Sequence, residues 1–413
     1  MGAFLDSKKN IVSVGTSEAM TQTELAPFES ARIDHFHNDP SGDGKGDTAV
    51  ISQEGARAAW NRITAWDGYV PTPLVRLPGL ATALGVADVM FKDEGGRFGL
   101  GSFKALGGAY AVSCLLAEKV GTTPEDLMSG AYQDAVETIT VTSATDGNHG
   151  RSVAWGARTY GCPCVIYIHA EVSESRAKAM EDLGAQVIRI AGNYDESVRQ
   201  CSEDAETHGR FVVSDTSYEG YREVPKRVME GYTVMVTELI EQSAGVLPTH
   251  VFVQGGVGGL AAAVHGVFRQ RWGADRPRFV VVEPELAACL HASAVSGEPR
   301  PVEITEETLM AGLSCGKVSL LAWESLAEGA DDFLTIPESL VAPTMRLLAR
   351  SPFGDAAVMA GESAVAGLAA AIAAARSPAL GEALGLNGKS RVLAIGTEGA
   401  TDPVIYARLV SQA

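Results

Sequence analysis

Short apolar, β-branched runs alternate with stretches of helical periodicity through the middle of this chain. That alternation is the signature of βαβ units on a parallel sheet. It predicts strands over residues 138–143, 164–169, 186–190, 211–214, 250–254, 279–283 and 392–395, with Val89-Met90-Phe91 ending another. Between them the pattern predicts helices over 150–159, 175–183, 194–208 and 260–268, and an alanine-rich helix over 364–375. A further helix starts near Ser102, which reads as an N-cap. Seven apolar strands with covering helices are more than one small sheet takes. The reading is therefore two open, twisted, mostly parallel α/β layers with a cleft between them. The chain divides into a polar N-terminal arm over 1–65, a large domain over 66–110 and 222–413, and a small α/β domain over 111–221. In such sheets ligands sit at the carboxyl ends of the strands, so the loops there are where chemistry is expected.

Composition narrows the function. A chain of 413 residues with 46% hydrophobic content has room for two domains and a sizeable core. With 51 Asp+Glu against 33 Lys+Arg, its formal charge is -18. Nucleic-acid binders need basic surfaces, so nucleic acid is excluded as a partner. Neither a leader-like N-terminus nor an apolar run of about 18 residues is present, which points away from membranes and to the cytoplasm. Six cysteines stand at 114, 162, 164, 201, 289 and 315. Cys162 and Cys164 enter a strand on opposite faces, and with no C-x-x-C pair or His-Glu-x-x-His no metal site is expected. Cys289 and Cys315 either meet in space or remain buried thiols, as a reducing cytosol favours.

Four loops that follow strands directly carry polar chemistry. In the stretch from Phe91 to Tyr110, a loop with four glycines leads to Lys104 at a helix N-terminus. A cation there meets the wrong end of the helix dipole, whereas a lysine working as a neutral amine or in covalent linkage is less penalised. Gln254-Gly255-Gly256-Val257-Gly258-Gly259 lets backbone N–H groups approach an anion at a second helix start. It is neither a P-loop nor a well-formed dinucleotide fingerprint, though Glu283 lies 24 residues beyond Gly259 and keeps that alternative open. A tight turn without ligand is the plain alternative. Thr145-Asp146-Gly147-Asn148-His149-Gly150 offers a carboxylate, an amide and an imidazole. Asp146 or Asn148 could simply cap the helix, and His149 reads equally as structural or catalytic. Asp215 ends another strand, and Thr397 follows the last one.

Taken together, Ser102-Phe103-Lys104, Asp146-Gly147-Asn148-His149-Gly150 and Gly255–Gly259 resemble pyridoxal 5′-phosphate enzymes of fold type II, the class of tryptophan synthase β and threonine dehydratase. The match runs in order from about Thr72 to the C-terminus. Lys92-Asp93-Glu94, Arg97-Phe98-Gly99-Leu100, Asp215-Thr216 with Glu219-Gly220-Tyr221, Met310-Ala311-Gly312-Leu313 with Cys315-Gly316, and Ser363 after Gly361-Glu362 resemble more closely the diaminopropionate ammonia-lyase family. Serine and threonine dehydratases usually carry a small residue where Asp146 stands.

The resemblance implies elimination from 2,3-diaminopropionate, D or L, to pyruvate and two ammonia, by a cytoplasmic homodimer acting in amino acid catabolism. It implies that Lys104 carries the cofactor covalently, that Gly255, Gly256, Val257, Gly258 and Gly259 bind its phosphate, and that Asn148 bonds the ring hydroxyl oxygen. Thr397 lies opposite the ring nitrogen, where a neutral hydroxyl favours elimination over transamination. Ala144, Thr145 and the loop up to Asn148 take the substrate carboxylate, while Asp146 and Asp215 act on opposite substrate faces, Asp146 for the D isomer and Asp215 or Lys104 for the L isomer. A serine/threonine or hydroxyaspartate dehydratase of the same fold is the rival enzyme. An idle cofactor-binding protein is the rival outside catalysis, and such a protein has no physical reason to keep two acids beside the lysine.

Overall fold

The computed structural model describes residues 23–38, 50–145 and 147–411. Eleven strands form two sheets among these residues. They are β1 (Asp34–His37), β2 (Leu74–Arg76), β3 (Asp88–Asp93), β4 (Val141–Ala144), β5 (Cys164–Ile168), β6 (Gln186–Arg189), β7 (Phe211–Val212), β8 (His250–Gln254), β9 (Arg278–Pro284), β10 (Asp332–Ile336) and β11 (Arg391–Gly396). The larger sheet runs β1-β10-β9-β8-β11-β3-β2 and the smaller β6-β5-β4-β7. All pairings are parallel except at the two edges of the larger sheet, where β1 on β10 and β2 on β3 are antiparallel. Parallel strands covered on both faces must be apolar throughout, and β5 and β8 are buried at every position.

Every strand the periodicity predicts exists, most of them one or two residues shorter or longer at an end. Three others were not read from the sequence. β10 opens on a buried Asp332, β2 has three residues, and β1 (Asp-His-Phe-His) is half polar. β1 is held by side chains instead of by apolar burial. His35 Nε2 and His37 Nδ1 lie 2.8 and 3.0 Å from Asp332 Oδ1. Arg278 Nε donates to Asp332 Oδ2 at 2.6 Å, and its guanidinium also reaches His37. These two histidines and Asp332 are close enough together to ligate a cation. With a guanidinium already on the carboxylate, the cluster reads as a tether for the edge strand.

The polar stretch 1–65 is an arm only in part. Leu25, Phe28, Val50, Ile51, Ala59 and Ile63 are buried in the core. Ser52 caps the helix Gln53–Ile63 by accepting from Gly55 N, and that helix packs on the helix Glu223–Gln242. Residues 1–22 and 39–49 of the stretch lie outside the described residues. Among the described residues no single helix is long and apolar enough to cross a membrane.

The helix Tyr194–His208 shows how local sequence sets these elements. Asn193 and Glu196 form a reciprocal capping box at its start, and Gly209, at φ 65°, closes it in the left-handed region. At the centre, the helix Lys104–Val120 packs against both Asn148–Tyr160 and Glu223–Gln242. A Cβ on Gly156 would come within 2.7 Å of Ala109 Cα, so glycine is what allows this approach.

The loop between β3 and Lys104 rests on a buried network of four charges. Lys92 Nζ donates to Glu238 Oε2 at 2.8 Å, and Arg97 donates to both oxygens of Glu238 at 2.7 and 2.8 Å. Arg97 also pairs with both oxygens of Glu94 at 2.8 Å, and Thr72 bonds Glu94 and Arg97. All four charged side chains are essentially out of water. Two positive and two negative charges balance, so no member can be removed alone without stranding another. Glu238→Gln is therefore expected to lower the unfolding free energy by about 3–5 kcal/mol, measured by urea denaturation. A variant as stable as the parent would show that the network carries no such weight.

Candidate active site

Five parallel strands deliver their C-terminal loops to one cleft between the sheets. It is lined by Lys104 beyond β3, Ala144, Thr145, Gly147, Asn148 and His149 at and after the end of β4, Asp215 after β7, the glycine loop after β8, and Thr397 and Glu398 after β11. Of the residues singled out in the sequence, Lys104, Ala144, Thr145, Asn148, Asp215, Gly255, Gly256, Val257, Gly259 and Thr397 line this cavity together. Gly258 lies just behind it. Asp146 lies outside the described residues.

Lys104 is the first residue of its helix. The N-cap is Phe103, without a side-chain cap bond, so Ser102 does not cap as the sequence suggested. Ser102 is buried and bridges its backbone to Glu398 instead. Lys104 Nζ donates to Asp215 Oδ2 at 2.5 Å, with both side chains largely buried. Burial works against the ammonium, but the Asp215 carboxylate outweighs it and holds the free amine well above the usual lysine range. Burial also pushes the Asp215 carboxyl up, and the Lys104 ammonium beside it reverses this and holds it well below the usual carboxylate range. Phe103 and Tyr232 place their rings 5.4 and 5.9 Å from the ammonium. Tyr232 comes from mid-helix, and no sequence signal marks it.

His149 sits beneath this pair. Its Nε2 is 2.9 Å from the Val213 carbonyl, an acceptor, so that nitrogen carries the proton. Burial lowers its pKa, and the imidazole is neutral. Nδ1 has no hydrogen-bond partner and lies 3.8 Å from Asp215.

The glycine loop is built for an anion. Gly255 N and Gly258 N donate to Val282 O and Gly255 O, which leaves Gly256, Val257 and the first turn of the helix Gly259–Trp272 without backbone acceptors. Gly258 is the N-cap and carries no side chain to satisfy them. A Cβ on Gly255 would lie 2.6 Å from Glu283 Cγ, so a larger residue would collide with that buried side chain and push the loop out of place. An uncapped helix start, a lysine, an amide and a hydroxyl around one cavity fit a phosphorylated aromatic aldehyde. Thr145 behaves differently from expectation. Its N–H donates to Tyr167 O, and its hydroxyl accepts from Gly147 and Gly150, shaping the loop. Asn148 does not cap its helix; Gly147 is the N-cap. Cys289 and Cys315, near this loop, are not joined by a disulfide.

Behind the cleft, Glu362 is almost fully buried and neither of its oxygens has a partner. Burial, and then the neighbouring Glu398 carboxylate, push its pKa from 4.5 up to about 7. Between those two pH values the folded protein retains a proton that the unfolded chain releases, so this group's contribution to stability falls as pH rises through the window. Glu362→Gln is expected to gain stability relative to the parent at pH 8 compared with pH 5, read from unfolding curves at both. An identical difference at the two pH values would refute the shift.

Residues 65–398 match the family model described as pyridoxal-phosphate dependent enzyme. The diaminopropionate ammonia-lyase of Escherichia coli K12 is 40% identical over 368 residues, covering 87% of this chain and 92% of that protein. That of Salmonella typhimurium is 36% identical, covering 83% and 88%. The crystal structure of the Escherichia coli enzyme in complex with D-serine superposes with a TM-score of 0.87 at 38% identity, over 92% of this chain and 97% of that one. A processed threonine deaminase from Solanum lycopersicum reaches 0.68 at 20% identity, over 92% and 98%, and so shares the fold. With fold type II architecture, a cleft suited to the cofactor and relatives matched over nearly their whole length, this chain belongs to the pyridoxal-phosphate-dependent enzymes and, among them, to the diaminopropionate ammonia-lyase family.

Proposed function

We propose that this chain eliminates both amino groups from 2,3-diaminopropionate, D, L or both, giving pyruvate and two ammonia with one water consumed. The observation that carries the reading is the buried Lys104–Asp215 pair beside an uncapped glycine loop. Family membership supports it. When bound, pyridoxal phosphate supplies the electron sink that makes the substrate's α-proton removable.

The chain's own residues do the rest. Lys104 holds the cofactor and moves a proton at the α-carbon. Gly256, Val257 and the helix start bind phosphate, with Gly255, Gly258 and Gly259 giving the backbone its close approach. Asn148 donates to the ring hydroxyl oxygen, and Thr397 offers the ring nitrogen a neutral hydroxyl. Ala144, Thr145 and Asn148 shape the place for the substrate carboxylate. Asp146 and Asp215 suit a substrate with a second amino group, which carries positive charge and leaves only in its protonated form. Neutral His149 is anchored to Val213 and lies 3.8 Å from Asp215.

The rest of the reading concerns organisation. Residues 111–221 form the small domain, consistent with all four strands of the smaller sheet lying between Val141 and Val212. Residues 66–110 with 222–413 form the large one. The helix Lys104–Val120 straddles the boundary, so closure of the small domain would move against Lys104 and exclude water. Homodimeric assembly and a role in amino acid catabolism come from the family resemblance, and six cysteines outside any disulfide suit a cytoplasmic location.

The purified protein is expected to release two ammonia per pyruvate from 2,3-diaminopropionate, with Lys104→Ala silent. Faster turnover of L-serine or L-threonine would promote the dehydratase instead. Asp146→Asn should cut turnover of the D isomer far more than of the L isomer, and Asp215→Asn the reverse. Steady-state kinetics on both isomers checks this, and equal losses would remove the assignment of the two aspartates to opposite faces.

A further inference from the structure

We infer that Glu398 is the positioning residue for Asn148: its carboxylate fixes which end of the Asn148 amide faces it, and thereby ties the helix of the small layer to the last strand of the large one. The inference rests on the reading that Asn148 donates to the cofactor's ring hydroxyl oxygen.

Glu398 follows β11, lines the cleft and is 3% exposed. Its Oε2 accepts from Asn148 Nδ2 at 2.5 Å and from Thr401 Oγ1 at 3.3 Å, and its Oε1 accepts from Ser363 N at 3.1 Å. Its backbone is held as firmly. Phe103 N donates to Thr397 O at 3.0 Å and Gly399 N to Gly101 O at 2.9 Å, which stitches this loop to the residues just before Lys104. The side chain thus connects the Ser363 loop and the Asn148 helix, and the backbone on either side of it adds the Lys104 segment.

The chemistry of the pair is one-directional. An ionised carboxylate accepts and cannot donate, while an amide presents either NH₂ or a carbonyl oxygen. Turning the Asn148 oxygen toward Glu398 would set two acceptors face to face in a buried site, at the cost of an unmade bond to a charged group. The nitrogen therefore faces Glu398, and its second hydrogen remains for another acceptor. A ring hydroxyl oxygen that has lost its proton is an acceptor of that kind. Without the carboxylate, Asn148 would choose its own orientation, and half of its choices would oppose the cofactor's oxygen. Three donors converge on Glu398, while neither oxygen of buried Glu362 has a partner.

The test uses the full-length protein stripped of cofactor and titrated with pyridoxal 5′-phosphate, following the absorbance band and its pH dependence. Glu398→Ala is expected to weaken cofactor binding about ten- to a hundredfold and to move the band's pH midpoint, with Glu398→Gln recovering most of the affinity through its amide oxygen. Asn148→Ala should do similar damage, and the double variant should be little worse than either single one. A second pair guards against misfolding. Asn148→Asp sets two carboxylates face to face, and adding Glu398→Gln restores a donor–acceptor pair. The swapped pair should regain thermal stability yet still bind cofactor poorly, because an aspartate offers the ring oxygen no hydrogen. Multiplicative losses in the double alanine variant, or full cofactor affinity in the swapped pair, would overturn the proposal. Because these readouts are cofactor binding, a protein that binds normally but ignores the diamine would refute the proposed substrate and leave the role of Glu398 standing or falling on its own result.

Discussion

A buried ammonium needs a counter-charge, and the structure supplies one from across the cleft. Lys104 belongs to the segment after β3 in the larger sheet, and Asp215 to the loop after β7 in the smaller. Each lies where the other must be, so the relative placement of the sheets is a condition for either to keep its charge. The surrounding features serve that meeting. A glycine at 156 lets the two central helices close up, the aromatic rings of Phe103 and Tyr232 wall off water, and His149 stays neutral beneath the pair.

What the sequence revealed follows from how locally each feature is encoded. The fully buried strands are continuous apolar runs, and the helix 194–208 carries its own caps, so both could be read directly. The glycine loop and Lys104 announced themselves through spacing. β1 did not, because what holds it is the contact of His35 and His37 with Asp332, almost 300 residues away in the chain. Ser102 looked like a cap on composition alone, and only the path of the backbone shows that the helix begins two residues later. The Thr145 N–H is taken by Tyr167 of β5, a pairing that the loop's own residues do not announce. Glu398 had no distinguishing neighbour in the sequence; its meaning lies in Asn148, 250 residues away.

The site divides its labour by chemical type. Backbone donors, which carry no net charge and need no ionisation, are set out for the phosphate. Titratable side chains are confined to the region of the reacting carbon, where protons must move. Neutral hydroxyl and amide groups lie between them. The two acids outside this scheme, Glu362 and Glu398, stand one behind the other, only the front one reaching the cleft. The homologous relation, at 40% identity over most of both chains, tells which reaction to test first. The distances tell which side chains to change.

The four-charge network under the Lys104 loop also bears on how this chain can drift. Lys92, Glu94, Arg97 and Glu238 come from a strand, a loop and a distant helix, yet each is bonded to at least one of the others out of reach of solvent. A single neutral replacement strands a partner, whereas replacing the whole set by apolar residues leaves nothing stranded. The intermediates between those two endpoints are the unstable ones. Descent with modification can therefore reshape the exposed helices one residue at a time, while this quartet passes on intact or is exchanged wholesale.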